Sequence, residues 1–341
     1  PDLAVSGTKD GTGIVRVLSG ATARELYTIT SPVEGFGFAE DRNLVALGDL
    51  DGDGVSELAA GVPYGSFTDP AGFFLVCRGV DGTVLRSHSG LAFETLSYEI
   101  AALGDVDEDG VPDYAASNFE LGPEGGRVIV YSGAGGEELA QISSTEAVRF
   151  YSIAGPGDLD GDGRGDLALT IWSEVNPWKR GEVRVLPGSS LGTPGEPAGV
   201  LDLFSPGVEA DTLFTAQGFL DENRGLFEGL GLGLNALGDL DGDGVPEIGV
   251  GTGPTSDAIV FSGGTGERLH EWFWGVTNLS AQFVVETARI GDLDRDGTSD
   301  VAVGLVGLIR VYSGRDGRLL AERVAPDDLG QEIAAVGDLD G

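Results

Sequence analysis

The sequence predicts an all-β fold in which four-stranded antiparallel sheets are set radially in one ring, and three observations carry that expectation. A glycine-rich acidic motif recurs along the 341 residues, and such self-similarity decides architecture before local detail does. Short apolar runs bounded by glycine turns fill the intervals, with almost no sustained helical period. The strand count also closes: six strands enter an acidic loop, six leave one and six hairpins follow, giving twenty-four strands in six sheets of four.

Each unit keeps the same order. An apolar strand such as NLVALG (43–48) enters the acidic loop and a second such as ELAAGV (57–62) leaves it. A hairpin follows, usually with Ser-Gly and a second glycine in its turn: VRVLSGATARELYTI, VIVYSGAGGEELAQI, AIVFSGGTGERLHEW and IRVYSGRDGRLLAER. A variant, LVCRGVDGTVLRS, serves the second unit, and a longer hairpin, VRVLPGSSLGTPGEPAGVLDL, serves the third. Radial four-stranded sheets make a β-propeller, which leaves only short, protected edges. Residues 1–341 are read as a single propeller domain of six blades; a seven-bladed ring only partly covered by this chain is the alternative. An open solenoid would need polar caps that neither end shows. Both chain ends, 1–30 and 325–341, are expected to build the last blade, with 332–337 as its closing strand. Residues 205–231 read as an insertion between the third and fourth complete units.

The acidic motif is D-x-D-x-D-G-x-x-[DE]. Hard oxygen donors at positions 1, 3, 5 and 9, with a backbone carbonyl at 7, are the set that Ca²⁺ takes, and glycine at 6 permits the sharp turn. Mg²⁺ fits less well, because it demands near-ideal octahedral geometry and dehydrates reluctantly. The first loop offers Asp49, Asp51, Asp53, Val55 (carbonyl) and Glu57; the second Asp105, Asp107, Asp109, Val111 and Asp113. The third offers Asp158, Asp160, Asp162, Arg164 and Asp166; the fourth Asp239, Asp241, Asp243, Val245 and Glu247; the fifth Asp292, Asp294, Asp296, Thr298 and Asp300. A sixth site is expected from Asp338 and Asp340 with Asp2 across the chain break, because Gly341 falls at position 4 of a motif and Pro1 at position 8. Asp-Gly runs are also ordinary turn chemistry. Five copies with an acid held at position 9 favour the ion, since carboxylates packed this closely raise one another's pKa unless a cation compensates.

Composition narrows the partners. A formal charge of −36 and a pI near 4.1 exclude nucleic acid and anionic membrane surfaces as natural ligands. No apolar run reaches the ~18 residues of a membrane span, and one cysteine, Cys77, excludes an internal disulfide framework. Methionine is absent and residue 1 falls inside a motif, so the chain is read as a piece of something longer and its lack of a targeting signal carries no weight.

The acidic loop followed by a small-apolar strand resembles the FG-GAP repeat of integrin α-subunit propellers and their bacterial relatives. EGFGF near Phe36 and GVP at Gly61–Pro63 match best, with LGLG and GTGP in the fourth unit. The resemblance covers nearly the whole chain, and the calcium loops are its specific part. It implies an extracellular or cell-surface propeller of bacterial type, calcium-bound in its 1-2 loops, serving adhesion or recognition of a protein or glycan. Integrin propellers are seven-bladed, against the count of six here.

Strand direction places loops 1-2 and 3-4 on one face and loops 2-3 and 4-1 on the other. The second face carries the long irregular loops, with Trp172, Trp178, Lys179, Arg180, Trp272 and Trp274 as ligand candidates. Exposed aromatics beside arginine mark recognition surfaces; packing between blades is the alternative role. Arg164-Gly165-Asp166 has the form of an adhesion tripeptide, but Asp166 is a loop ligand. Asn278 heads a glycosylation sequon, His88 and His270 read as interblade residues, and Cys77 as a small buried hydrophobe. No catalytic residues are assigned: there is no Ser-His-Asp set or zinc-type cluster, and two histidines are few for general-base work. A calcium-dependent polysaccharide lyase is the competing class, and a structural bead that pairs with copies of itself in an array is a third.

Overall fold

The computed structural model describes residues 2–34, 43–63, 71–91, 95–118, 126–144, 148–173, 180–192, 198–218, 220–221, 226–227, 230–253, 257–273, 286–305 and 307–324. It is almost wholly β, and its sheets fall into two compact units.

The first unit begins with β1 (Leu3–Lys9), β2 (Thr12–Leu18) and β3 (Glu25–Glu34), antiparallel in that order. Asp10 and Gly11 form the two-residue turn between β1 and β2, both with positive φ (53° and 80°), the conformation that Asp-Gly hairpins supply. The closing strand expected beside β1 lies outside the described residues. Next come β4 (Leu44–Gly48), β5 (Glu57–Val62), β6 (Phe73–Cys77) and β7 (Val84–Ser89), then β8 (Leu96–Gly104), β9 (Asp113–Asn118), β10 (Val128–Tyr131) and β11 (Glu138–Ser143). Both are antiparallel meanders.

The second unit holds β12 (Val148–Gly157), β13 (Asp166–Ser173) and β14 (Arg180–Leu186). The chain then visits β15 (Gly199–Asp202), which belongs to the first unit, before α1 (Pro206–Asp211) and β16 (Phe214–Gln217). After the small β17 (Leu220–Asp221) and β18 (Leu226–Phe227) hairpin come β19 (Leu230–Gly238), β20 (Glu247–Thr252), β21 (Ala258–Phe261) and β22 (Arg268–Trp272). The final described sheet is β23 (Glu286–Arg289), β24 (Val301–Leu305), β25 (Leu308–Tyr312) and β26 (Leu319–Val324).

The third hairpin differs from the sequence expectation. GVLDL does not return beside β14: β15 adds in parallel to β11, giving that sheet five strands. The partner of β14 is β16, drawn from the stretch read as an insertion. Hydrophobic pattern alone could not separate two short apolar runs competing for one edge. Half-buried Phe214, packed on the core that includes Val183 and Val185, marks the run that won.

Burial explains the strand compositions. The middle strands β5, β6, β9, β10, β20 and β21 are buried throughout, because they lie inside their sheets and feed the cores that join one sheet to the next, so they read as continuous small or apolar runs. One core joins Val15 and Ile29 to Leu58 and Leu75, and another joins Phe74 and Val76 to Ile100 and Tyr114. In the second unit Val183 and Val185 meet Val250 and Ile259, and Val260 meets Val303.

His88 sits in the first unit's aromatic core. Its ring stacks on Phe74 at 4.7 Å and Nε2 lies 2.9 Å from Tyr114 Oη, with Tyr131 at 4.2 Å. Burial, then the Arg86 charge, pushes its pKa down to about 4. A base whose folded pKa lies below its unfolded value stabilises the fold above the unfolded pKa, near 6.5. That stability is lost as pH falls towards 4. The difference is worth about 3 kcal/mol. His88→Phe is therefore expected to flatten the acid side of the stability profile between pH 6.5 and 4, measured by urea unfolding; an unchanged slope would refute the assignment.

Candidate metal centres

Each acidic loop spans the turn between the first two strands of a sheet: β4–β5, β8–β9, β12–β13, β19–β20 and β23–β24. The loop winds around its own carboxylates. In the first, Asp49 Oδ1 accepts the N–H groups of Gly52 (2.8 Å) and Asp53 (3.1 Å), while Oδ2 accepts that of Gly54 (2.9 Å). Asp51 Oδ1 accepts from Asp53 and Asp53 Oδ1 from Val55. The bonds from positions 5, 6 and 7 recur in the second loop on Asp105, Asp107 and Asp109, and in the fifth on Asp292, Asp294 and Asp296. Position 7 is thus fixed by its N–H at Val55, Val111, Arg164, Val245 and Thr298.

Position 9 opens the second strand and ties the loop to the rest of its sheet. Asp113 is fully buried; its Oδ2 accepts from Val106 N (2.7 Å) and its Oδ1 from Gly133 N (2.7 Å), the Ser-Gly glycine of the β10–β11 hairpin. Asp166 repeats this with Leu159 and Gly188, and Asp300 with Leu293 and Gly314. Glu57 does so with Leu50 and Gly79. Asp2 accepts from Gly20 N at 3.0 Å, Gly20 being the Ser-Gly glycine of the β2–β3 hairpin. Asp338 and Asp340 lie outside the described residues.

Carboxylate oxygens from positions 1, 3 and 9 lie within 4.8 Å of one another in four loops: Asp105, Asp107 and Asp113; Asp158, Asp160 and Asp166; Asp239, Asp241 and Glu247; Asp292, Asp294 and Asp300. In the first loop the group is Asp49, Asp51 and Asp53. The arrangement fits a divalent cation. Glu247 is fully buried and one of its oxygens, Oε1, has no hydrogen-bond partner, a state that costs free energy unless an ion completes it. Burial, followed by the charges of Asp241, Asp243 and Asp239, pushes Glu247 up to about 7, and burial pushes Asp113 and Asp166 up to about 6.

The repeats are also visible in comparison with known proteins. A family profile described as an FG-GAP-like repeat matches residues 98–169, and one described as an FG-GAP repeat matches 43–76. The solved Dos1 propeller superposes on 95% of this chain and 68% of its own, with TM-score 0.52 and 11% identity. The chain carries FG-GAP repeats in a β-propeller fold. Saccharomyces cerevisiae Sqt1 shows the same likeness, with TM-score 0.53 at 12% identity over 95% of this chain and 71% of that one. Among curated proteins the chain is similar to integrin alpha-8 of Mus musculus, 28% identical over 46% of this chain and 16% of the relative. It is also similar to integrin alpha pat-2 of Caenorhabditis elegans, 27% identical over 63% of this chain and 18% of the relative. Human integrin alpha-8 is 25% identical over 73% of this chain and 22% of that relative. The chain therefore spans about a fifth of the length of these relatives.

Two features of the FG-GAP loops escape the motif as read from sequence. Position 4 is left-handed in all five: Gly52 (φ 79°), Glu108 (62°), Gly161 (79°), Gly242 (85°) and Arg295 (62°). A side chain is strained there, and the glycine at position 4 in three loops was the signal available. Glu108→Gly and Arg295→Gly are each expected to raise stability by about 0.5–1 kcal/mol, read as a higher urea midpoint at unchanged m-value. The second feature is the hairpin glycine. A Cβ on Gly133 would run into the Pro112 carbonyl oxygen, and the same conflict arises at Gly79, Gly263 and Gly314 with Ser56, Pro246 and Ser299. The Ser-Gly signature is thus part of the loop's support.

The aromatic candidates separate. Trp272 is buried: its indole stacks on Tyr312 at 4.4 Å and its Nε1 donates to Gly317 O at 2.9 Å. It is spent on packing between two sheets, so the expectation of a ligand role does not hold for it. Trp172 is half-buried and packs on Tyr151 at 5.4 Å. Arg180 opens β14. Trp178, Lys179 and Trp274 lie outside the described residues, as do Phe36 and Asn278. Cys77 is free and buried, its thiol pushed up to about 11 by burial.

Proposed function

We propose that the chain is a calcium-stabilised propeller that works by recognition or adhesion on the outside of the cell. The observation that carries this is the convergence of carboxylates in five loops, together with the partnerless buried oxygen of Glu247. Asp49, Asp51, Asp53 and Glu57, and their counterparts in the other loops, would hold the ion, with the position-7 carbonyls completing each cage. Bound Ca²⁺ would supply charge compensation and rigidity, not chemistry. Extracellular modules of this kind bind at ~10⁻⁴–10⁻³ M, concentrations met outside cells.

A six-bladed ring closed by residues 1–30 and 325–341 is part of the same proposal, with Asp2, Asp338 and Asp340 sharing a sixth cage; the Asp2–Gly20 bond supports it. The likeness to integrin α chains supports a protein or glycan partner, met by the face opposite the loops, where Trp172, Trp178, Lys179 and Arg180 remain candidates. Recognition is favoured over catalysis because both histidines are spent on packing: His88 within its aromatic cluster, and His270 bonded to Gly314 O at 2.8 Å. Elemental analysis after dialysis against millimolar CaCl₂ tests the core of this proposal. Five calcium ions per chain are expected from the five loops and a sixth if the shared cage forms, and a metal-free protein would end the proposal.

A further inference from the structure

The five loops are not electrostatically equivalent. Arg78 Nε lies 3.1 Å from Asp51 Oδ2, and Arg318 Nη2 lies 2.5 Å from Asp294 Oδ2. Both carboxylates stand at position 3 of their loops, and each already accepts the position-5 N–H on its other oxygen. The arginines reach them from different points: Arg78 directly follows β6, where four other hairpins carry Ser19, Ser132, Ser262 and Ser313, and Arg318 follows the turn glycine Gly317 just before β26. In the fifth loop Arg315 also donates to the Asp296 carbonyl at 2.8 Å.

The second and fourth loops have the opposite character. At the hairpin position of Arg318 the second carries Glu137 and the fourth Glu267. The fourth loop holds the partnerless Glu247 oxygen. Among the described residues no arginine or lysine pairs with Asp105, Asp107, Asp109, Asp113, Asp239, Asp241, Asp243 or Glu247.

We propose that four of the five loops form two classes of divalent-ion site: Arg78 and Arg318 are resident counter-cations that weaken ion binding at the first and fifth loops, whereas the second and fourth are strong sites. This rests on the calcium reading of the loops. A guanidinium on position 3 supplies charge that the ion would otherwise bring, and it must be displaced or tolerated when the ion enters. The first and fifth loops are therefore compensated at low calcium, and the second and fourth are not.

The test is calorimetric titration of the full metal-free chain with CaCl₂, comparing wild type with Arg78→Gln, Arg318→Gln and, as a control, Arg16→Gln. Arg16 pairs only loosely with Glu25, at 3.7 Å and away from the loops. Side chains 46% and 55% exposed at Arg78 and Arg318 make folding defects improbable, and circular dichroism checks this. Wild type should show a strong and a weak phase. Each loop variant should move one equivalent from weak to strong, with about tenfold tighter binding, a change of about 1.4 kcal/mol. Arg318→Lys should restore weak binding and Arg16→Gln should change nothing. A single class of sites in wild type, or loop variants that titrate like wild type, would overturn the proposal while leaving calcium binding intact. Absence of any calcium uptake would overturn the calcium reading itself, and this proposal with it.

Discussion

Withdrawal of divalent ion is expected to destabilise the protein more than any single substitution. At ten times its Kd, each occupied loop adds about 1.4 kcal/mol by linkage, so five would add about 7 kcal/mol, comparable with the whole stability of an ordinary domain at ~5–15 kcal/mol. Thermal unfolding in EDTA should fall well below that in millimolar CaCl₂, and the midpoint should climb with calcium concentration. MgCl₂ at equal concentration should restore less, because the cages are built from flexible carboxylates instead of an octahedral frame. A midpoint indifferent to EDTA would contradict the prediction.

The second large effect is expected at position 9. Asp113→Ala removes the acceptor for Val106 N and Gly133 N in a fully buried site. Each orphaned donor costs about 1–3 kcal/mol, so a loss of about 3–5 kcal/mol follows with or without calcium. Asp105→Asn is the contrast. Asp105 is half-buried, and its asparagine keeps one acceptor for the loop backbone, so its cost should appear mainly in the presence of calcium. Urea unfolding of both variants in EDTA and in CaCl₂ separates the roles. A cost of Asp113→Ala in EDTA no larger than that of Asp105→Asn would show that position 9 does no structural work.

Most of the architecture could be read from the chain because the acidic loop fixes phase. Once Asp49 to Glu57 was placed between two strands, the order of the first three strands of every later sheet followed, and β5 was legible to the residue. The exchange of β15 for β16 was not legible, since both are short apolar runs and tertiary packing of Phe214 decides between them. Within four of the loops, the carboxylates that converge from positions 1, 3 and 9 were readable from spacing. Their support was not: Gly133 looks like an ordinary turn residue until the Pro112 carbonyl is found pressed against it. Trp272 shows the limit of composition, because an aromatic beside a long loop and one locked between sheets share one sequence signature.

The bond from position 9 to the hairpin glycine has a consequence in time. Asp113 and Gly133 belong to different connections of one sheet, so a loop reaches its final geometry only after the third strand has docked. Under the calcium proposal, ion capture would then belong to the last steps of folding. Interactions absent from the transition state leave the folding rate nearly unchanged and slow unfolding instead. Calcium would act on this protein chiefly as a brake on its opening, so that a chain once assembled in a calcium-rich medium would persist long after the conditions that favoured its assembly had changed.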